Sequence, residues 1–279
     1  MSFLLRSDRR TVRSHGRLAV PAPLAFLIAL MSLALQSGCV TTVEGNAIEQ
    51  GTNAERVKAH IQLARGYLEE RNFQRARTPL EKALAIDSRS VEAHVLKAFV
   101  HQREEEWEIA EDHYKTAIRI DPKHSQALNN YGSFLYARER FDDAVKPLEQ
   151  AVKDTEYQAR SQAYENLGLA QLALVNTPDA KSSFERALRL NDRQLRSSLE
   201  LASIYQQEGD LVAAMDHYSR FRRLTRRQSP RSLCLGMQLT GALGLNDDLA
   251  SFTMALRNLY PGSEEAADCP VQGPEVSLN

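Results

Sequence analysis

The chain has 279 residues, 43% hydrophobic and 25% charged, with 35 basic and 36 acidic side chains and a formal net charge of −1 at pH 7. A balance so near neutral gives no basic footprint for nucleic acid.

Arg6, Arg9, Arg10, Arg13 and Arg17 open the chain, an apolar run follows from Leu24 to Leu35, and it ends in Ser37–Gly38–Cys39. A basic region, a short apolar core and small residues before a cut site compose a secretory signal; the core is too short for a membrane span. Cysteine directly after the small pair resembles the lipobox of bacterial lipoproteins. That resemblance implies removal of residues 1–38, diacylation of the Cys39 sulfur and acylation of the new amine. Gln36 departs from the pattern, which prefers an aliphatic residue there; the competing reading is an ordinary signal or an uncleaved anchor with an incidental cysteine. Three acyl chains, at about 0.8 kcal/mol per buried methylene, hold a protein far better than one. Val40 stands where such lipoproteins carry aspartate when retained at the inner membrane. The implied address is therefore the periplasmic face of the outer membrane in a Gram-negative bacterium. Residues 39–56 read as the lipidated start and a flexible tether, polar and glycine-containing from Thr41 to Asn53. Residues 1–38 hold five arginines and Asp8, so the remainder keeps 30 basic and 35 acidic side chains, a net charge near −5.

From Val57 the chain repeats every 34 residues. Glycine or alanine stands eighth in each unit, as Ala64, Ala98, Gly132, Gly168 and Ala202. Twelve residues later comes Ala76, Ala110, Ala144, Ala180 or Ala214, then four further a bulky Leu80, Tyr114, Leu148, Phe184 or Tyr218. Ala83, Ala117, Ala151, Ala187 and finally Phe221 close the series. Two antiparallel helices approach closely only where one side chain is small and a large one fills the space opposite. The pattern resembles the tetratricopeptide repeat, a helix–turn–helix unit of this period. The resemblance implies an all-α superhelix of about six units, since one helix pair cannot bury its apolar face alone.

The units run 57–90, 91–124, 125–158, 161–194 and 195–228, with Ala159 and Arg160 as a two-residue insertion. A degenerate sixth, 229–262, keeps Leu235–Gly236 and ends at Pro261–Gly262 but lacks the central alanine, as a capping repeat would. Residues 263–279 form a tail. Asp121–Pro122, Asn72, Asn176–Pro178 and Glu208–Gly209–Asp210 mark turns. Pro79 and Pro147 fall at matching places in second helices, where they either kink the helix or delay its start.

Arg220, Arg222, Arg223, Arg226, Arg227 and Arg231 crowd the end of unit five. They read as a solvated helix end favoured by its dipole, or as a docking patch for an acidic partner or a glycan strand. The acidic run Glu104, Glu105, Glu106, Glu108, Glu111 and Asp112 around Trp107 reads as a solvated face. In an oxidising compartment Cys234 and Cys269 could form a disulfide tying the tail to unit six, the alternative being two free thiols.

Chemistry is sparse. His94 and His101 are seven apart on one helix face, and His60 matches His94 in repeat register; these are positions that pack between helices. No paired-histidine zinc motif, glycine-rich phosphate loop or serine elbow occurs. The expectation is a protein without catalytic residues, metal, cofactor or small-molecule substrate. In this repeat, positions two, five, nine and twelve of the first helices line the concave face. Lys58, Ile61, Arg65 and Leu68 of unit one, with Val95 and Phe99 of unit two, then form a partner groove, unless the tether or a neighbouring helix covers them.

Leader, tether and repeats together resemble the pilotins, the type IV pilus biogenesis lipoproteins of the PilF/PilW family. The local likeness lies in Asn53–Leu68, Arg75–Ile86, Asn129–Tyr136 and Phe141–Leu148. The resemblance implies a protein that binds a secretin subunit, carries it to the outer membrane on its own lipid and promotes assembly of the secretin ring. The alternative is a periplasmic scaffold recruiting peptidoglycan hydrolases or outer-membrane assembly factors.

Overall fold

The computed structural model describes residues 51–271. The signal segment, Cys39 and the first part of the tether lie outside them, as do residues 272–279.

Among the described residues regular structure is entirely helical. The helices are α1 (Asn53–Glu69), α2 (Phe73–Ile86), α3 (Val91–Arg103), α4 (Trp107–Ile120), α5 (Ser125–Ala137), α6 (Phe141–Ala151) and α7 (Arg160–Ala173). They continue as α8 (Thr177–Leu190), α9 (Leu195–Gln207), α10 (Leu211–Leu224), α11 (Pro230–Ala242), α12 (Asn246–Leu259) and α13 (Glu264–Ala267). Consecutive pairs from α1 to α12 make six hairpins, one for each repeat unit. Each first helix also touches the first helix of the next unit, and each second helix the following first helix. That is tetratricopeptide-repeat packing.

The small and large landmarks meet as the sequence demands. A Cβ built on Gly132 would lie 2.4 Å from Leu148 Cγ, and one on Gly168 would lie 2.7 Å from the Phe184 ring. Leu80, Tyr114, Leu148, Phe184 and Tyr218 are all buried.

Every hairpin turns in the same way. The residue at position fifteen takes a left-handed φ in units one to five: Arg71, Glu105, Glu139, Val175 and Gly209. Unit six does so one residue later, at Gly244. In unit one the Arg71 N–H donates to Leu68 O at 3.0 Å and the Asn72 N–H to Tyr67 O at 2.8 Å, the paired bonds of a Schellman motif. The same pair recurs in unit four, from Val175 to Leu172 and from Asn176 to Gln171. Between units, Asp87, Asp121 and Asn191 each accept a bond from the backbone N–H two residues on, an Asx turn that stops the helix.

Three boundaries differ from the sequence reading. First, α1 begins at Asn53, four residues before unit one: Thr52 and Glu55 form a capping box, so the end of the expected tether is helix. Second, Pro79 and Pro147 are buried inside α2 and α6, each six residues past the helix start, so neither delays it. Third, the insertion is partly absorbed. Arg160 is the first residue of α7, and its Nε donates to Val152 O at 2.7 Å.

Unit six lacks its central alanine, and Asp248, at that position, is exposed. In place of another hairpin, the tail folds back. Cys234 of α11 and Cys269 form a disulfide with their Cα atoms 5.7 Å apart, and the short α13 packs on α11 and α12.

Candidate protein-binding surface

The first helices form one wall, and the side chains expected to line it divide in two. Lys58 is exposed and Leu68 half-buried. Phe99 is 36% exposed, with its ring edge-on to Phe73 at 6.3 Å between centroids. Arg103 lies over the same Phe73 ring at 5.5 Å. Ile61 and Val95 behave otherwise: at 5% and 1% exposure they are core residues. Ile61 belongs to the cluster of units one and two, and Val95 to that of units two to four. The reason is spacing. Position five faces the neighbouring first helix, and Asn129 and Leu233 at the same position are buried too. Ile61 and Val95 therefore hold the wall together instead of presenting a face to a partner.

Arg65 is also engaged. Its Nη2 and Nε donate to Glu92 Oε1 at 2.6 and 2.9 Å, so the expected basic flank is half neutralised. Phe73 opens a second helix, so register arguments confined to the first helices do not reach it. Farther along, the wall is polar. Asn166 donates to Asn129 at 3.0 Å, and the Ser197 N–H and hydroxyl donate to Glu165 at 2.9 and 2.8 Å. A depression of about 650 Å³ opens beside it, bounded by Arg65, Lys123, Gln126, Asp154, Tyr157 and Gln158.

The histidines pack, as their register suggests. Ser88 O accepts from His94 Nε2 at 3.1 Å, which leaves neutral His94 to accept at Nδ1 from His113, 2.9 Å away. His101 stacks on His113 at 5.5 Å and bonds Glu106. Burial, followed by the Lys97 charge, pushes His113 down to about 4. Burial likewise lowers His94. The ligand atoms of His101, Glu104 and Glu106 lie within 4.8 Å of one another, but the Arg77 guanidinium bridges both carboxylates. That network ties unit one to unit two and already satisfies the acids.

Six stacked hairpins with an open, partly aromatic first-helix wall define a tetratricopeptide-repeat protein, and a tetratricopeptide repeat family model matches residues 98–164 and 165–230. The type IV pilus assembly protein PilF of Pseudomonas aeruginosa is 39% identical over 242 residues, covering 86% of this chain and 95% of that protein. The chain belongs to the PilF family of type IV pilus assembly proteins. The solved structure of Pseudomonas aeruginosa PilF superposes with a TM-score of 0.75 at 40% identity, over 77% of this chain and 96% of that one. PilW, a type IV pilus biogenesis factor, shares the fold at a TM-score of 0.66 and 24% identity, over 76% and 96% of the two chains.

Among the described residues no helix is long and apolar enough to cross a membrane. Cys39, the expected lipid attachment, lies outside them.

Proposed function

We propose that this chain is a pilotin: an outer-membrane lipoprotein that binds a secretin subunit and promotes its localisation and assembly for the type IV pilus. The observation that carries the reading is Phe99, left open on the first-helix wall beside Phe73 in a member of a pilus-assembly family. An aromatic pair with a polar surround is the usual chemistry of a protein-contact hot spot. Lys58 and Leu68 extend the surface along α1. The leader ending at Cys39 supports a lipid anchor, and Val40 supports the outer membrane.

The mechanism is capture by proximity. A lipid-tethered wall raises the effective concentration of secretin at the membrane where the ring forms. An extended secretin segment lies along the wall and inserts apolar side chains around Phe99. No bond is made or broken, and no cofactor takes part.

The test is a pull-down of the lipidated protein from crosslinked envelopes, identified by mass spectrometry. The expected result is recovery of a secretin, lost with Phe99→Asp and with release of the protein from the outer membrane by Cys39→Ala. Intact recovery with Phe99→Asp places the contact elsewhere. Recovery of cell-wall hydrolases without a secretin replaces the pilotin reading with the scaffold.

A further inference from the structure

We infer that a recess between the ends of α8 and α10 is a second protein-contact site, one that takes a carboxylate from an acidic peptide segment. The inference stands apart from the wall around Phe99 and does not depend on which protein that wall binds.

The recess has a volume of about 480 Å³ and is lined by Asp192, Arg193, Arg220, Arg223 and Leu224. Most other clustered arginines here have a partner: Arg65 pairs with Glu92, Arg77 with Glu104 and Glu106, and Arg140 with Glu111 and Asp143. The arginine run at the end of unit five splits on this criterion. Arg231 forms a two-pronged pair with the buried Glu200 carboxylate, both bonds 2.7 Å, and Arg222 lies over the Phe252 ring at 4.8 Å. Arg193, Arg220, Arg223, Arg226 and Arg227 have no side-chain partner among the described residues. The Nε of Arg220 is moreover buried with no hydrogen-bond acceptor.

A helix C-terminus favours cations in its last turn, which accounts for Arg222 and Arg223. It does not account for the Nε–H of Arg220, buried without an acceptor in a residue that lines the recess, an arrangement that an acceptor reaching it would relieve. The chemistry narrows the ligand. Guanidinium forks match the planar, two-oxygen edge of a carboxylate. Asp192 also lines the recess and cuts its net positive charge, which narrows the advantage a doubly charged phosphate has over a singly charged carboxylate. A flat bilayer surface reaches the exposed Arg226 and Arg227 but does not enter the recess between Arg193, Arg220 and Arg223. An acidic side chain or chain terminus carried on a peptide can enter.

The test uses the full-length protein in detergent and a fluorescein-labelled hexaglutamate peptide, read by anisotropy at fixed ionic strength. The expected result is saturable binding, weakened at least tenfold by Arg220→Gln with Arg223→Gln. Arg71→Gln with Arg89→Gln removes the same charge elsewhere and should change it less than twofold, and Phe99→Asp should leave it unchanged. Should the first pair fail to fold by circular dichroism, Arg193→Gln alone, on the connecting loop, is expected to weaken binding at least threefold. Equal loss from both double variants, no saturation, or binding of inorganic phosphate or phosphatidylglycerol vesicles in place of the peptide overturns the assignment.

Discussion

The hydroxyl oxygen of Tyr218 occupies the place where a side chain on Gly236 would begin: a Cβ there would lie 2.2 Å from it. Tyr218 belongs to the second helix of unit five and Gly236 to the first helix of unit six, so this contact joins two units. In units three and four the eighth-position glycine instead receives the large residue of its own hairpin. The phenol is fixed in turn by Ser232 O at 2.8 Å and the Gln228 side chain at 2.9 Å. Gly236→Ala is therefore expected to destabilise the protein by about 1–2 kcal/mol, overpacking outweighing the better helix propensity of alanine. Gly66→Ala on α1, where a Cβ meets nothing within 4 Å, should instead stabilise by about 0.5–1 kcal/mol. Chemical denaturation of both variants decides the matter; equal effects would mean that the inter-unit contact yields freely.

Val175 is a β-branched residue at φ 61°, 84% exposed. A left-handed conformation costs an ordinary residue about 1–2 kcal/mol, and asparagine tolerates it. Little packing is lost on replacement. Val175→Asn should raise stability by about 1 kcal/mol, seen as a higher urea midpoint at constant slope. An unchanged midpoint would show that the turn carries no strain.

The packed histidines of unit two set an acid limit. His113 is pushed down to about 4 in the folded chain, against about 6.5 in an unfolded one. Between those values the unfolded state binds the extra proton. Stability is thus fully present above about pH 6.5 and declines as pH falls toward 4, where the loss is complete. His94, lowered by burial, adds in the same direction. Because His113 is only partly buried, its share is on the order of 1–2 kcal/mol after solvent screening. Melting temperatures of the native chain and of His113→Gln from pH 7 to 4 should converge as pH falls; parallel curves would exclude the histidine as the source.

Reduction of the Cys234–Cys269 bridge, which spans 35 residues, removes a loop constraint worth about 3–4 kcal/mol. Its effect should fall on α11 to α13. Hydrogen exchange with and without a reductant is expected to show faster exchange there and unchanged protection in α3 to α8. Uniform acceleration would mean that the six units unfold as one.

The fold was legible because the interior is periodic: Ala98 against Tyr114, or Gly168 against Phe184, can be read from spacing alone. The wall was less so. Ile61 and Val95 were expected on it because position five belongs to the first helix's inner half, yet neighbouring first helices close over that position. Exposure there depends on how near two helices approach, which a one-dimensional register does not encode. Phe73 was missed for the opposite reason, as a residue on the other helix that the turn brings alongside Phe99. The α1 start at Asn53 is legible in the Thr52–Glu55 capping box, a local signal that the 34-residue period does not carry. The recess at Arg193 and Arg220 joins residues 27 apart in adjacent inter-unit edges, so only part of it shows in the arginine run.

The disulfide also settles how the end of the chain would bear a pull. Tension applied beyond Cys269 passes through sulfur to Cys234, within α11, and skips α12 and α13 altogether. With the bridge closed, the last hairpin cannot be peeled from its outer helix inward. The chain must yield first where α11 leans on unit five, at the Tyr218–Gly236 contact, and a bound partner tugging on the tail would load the stack there.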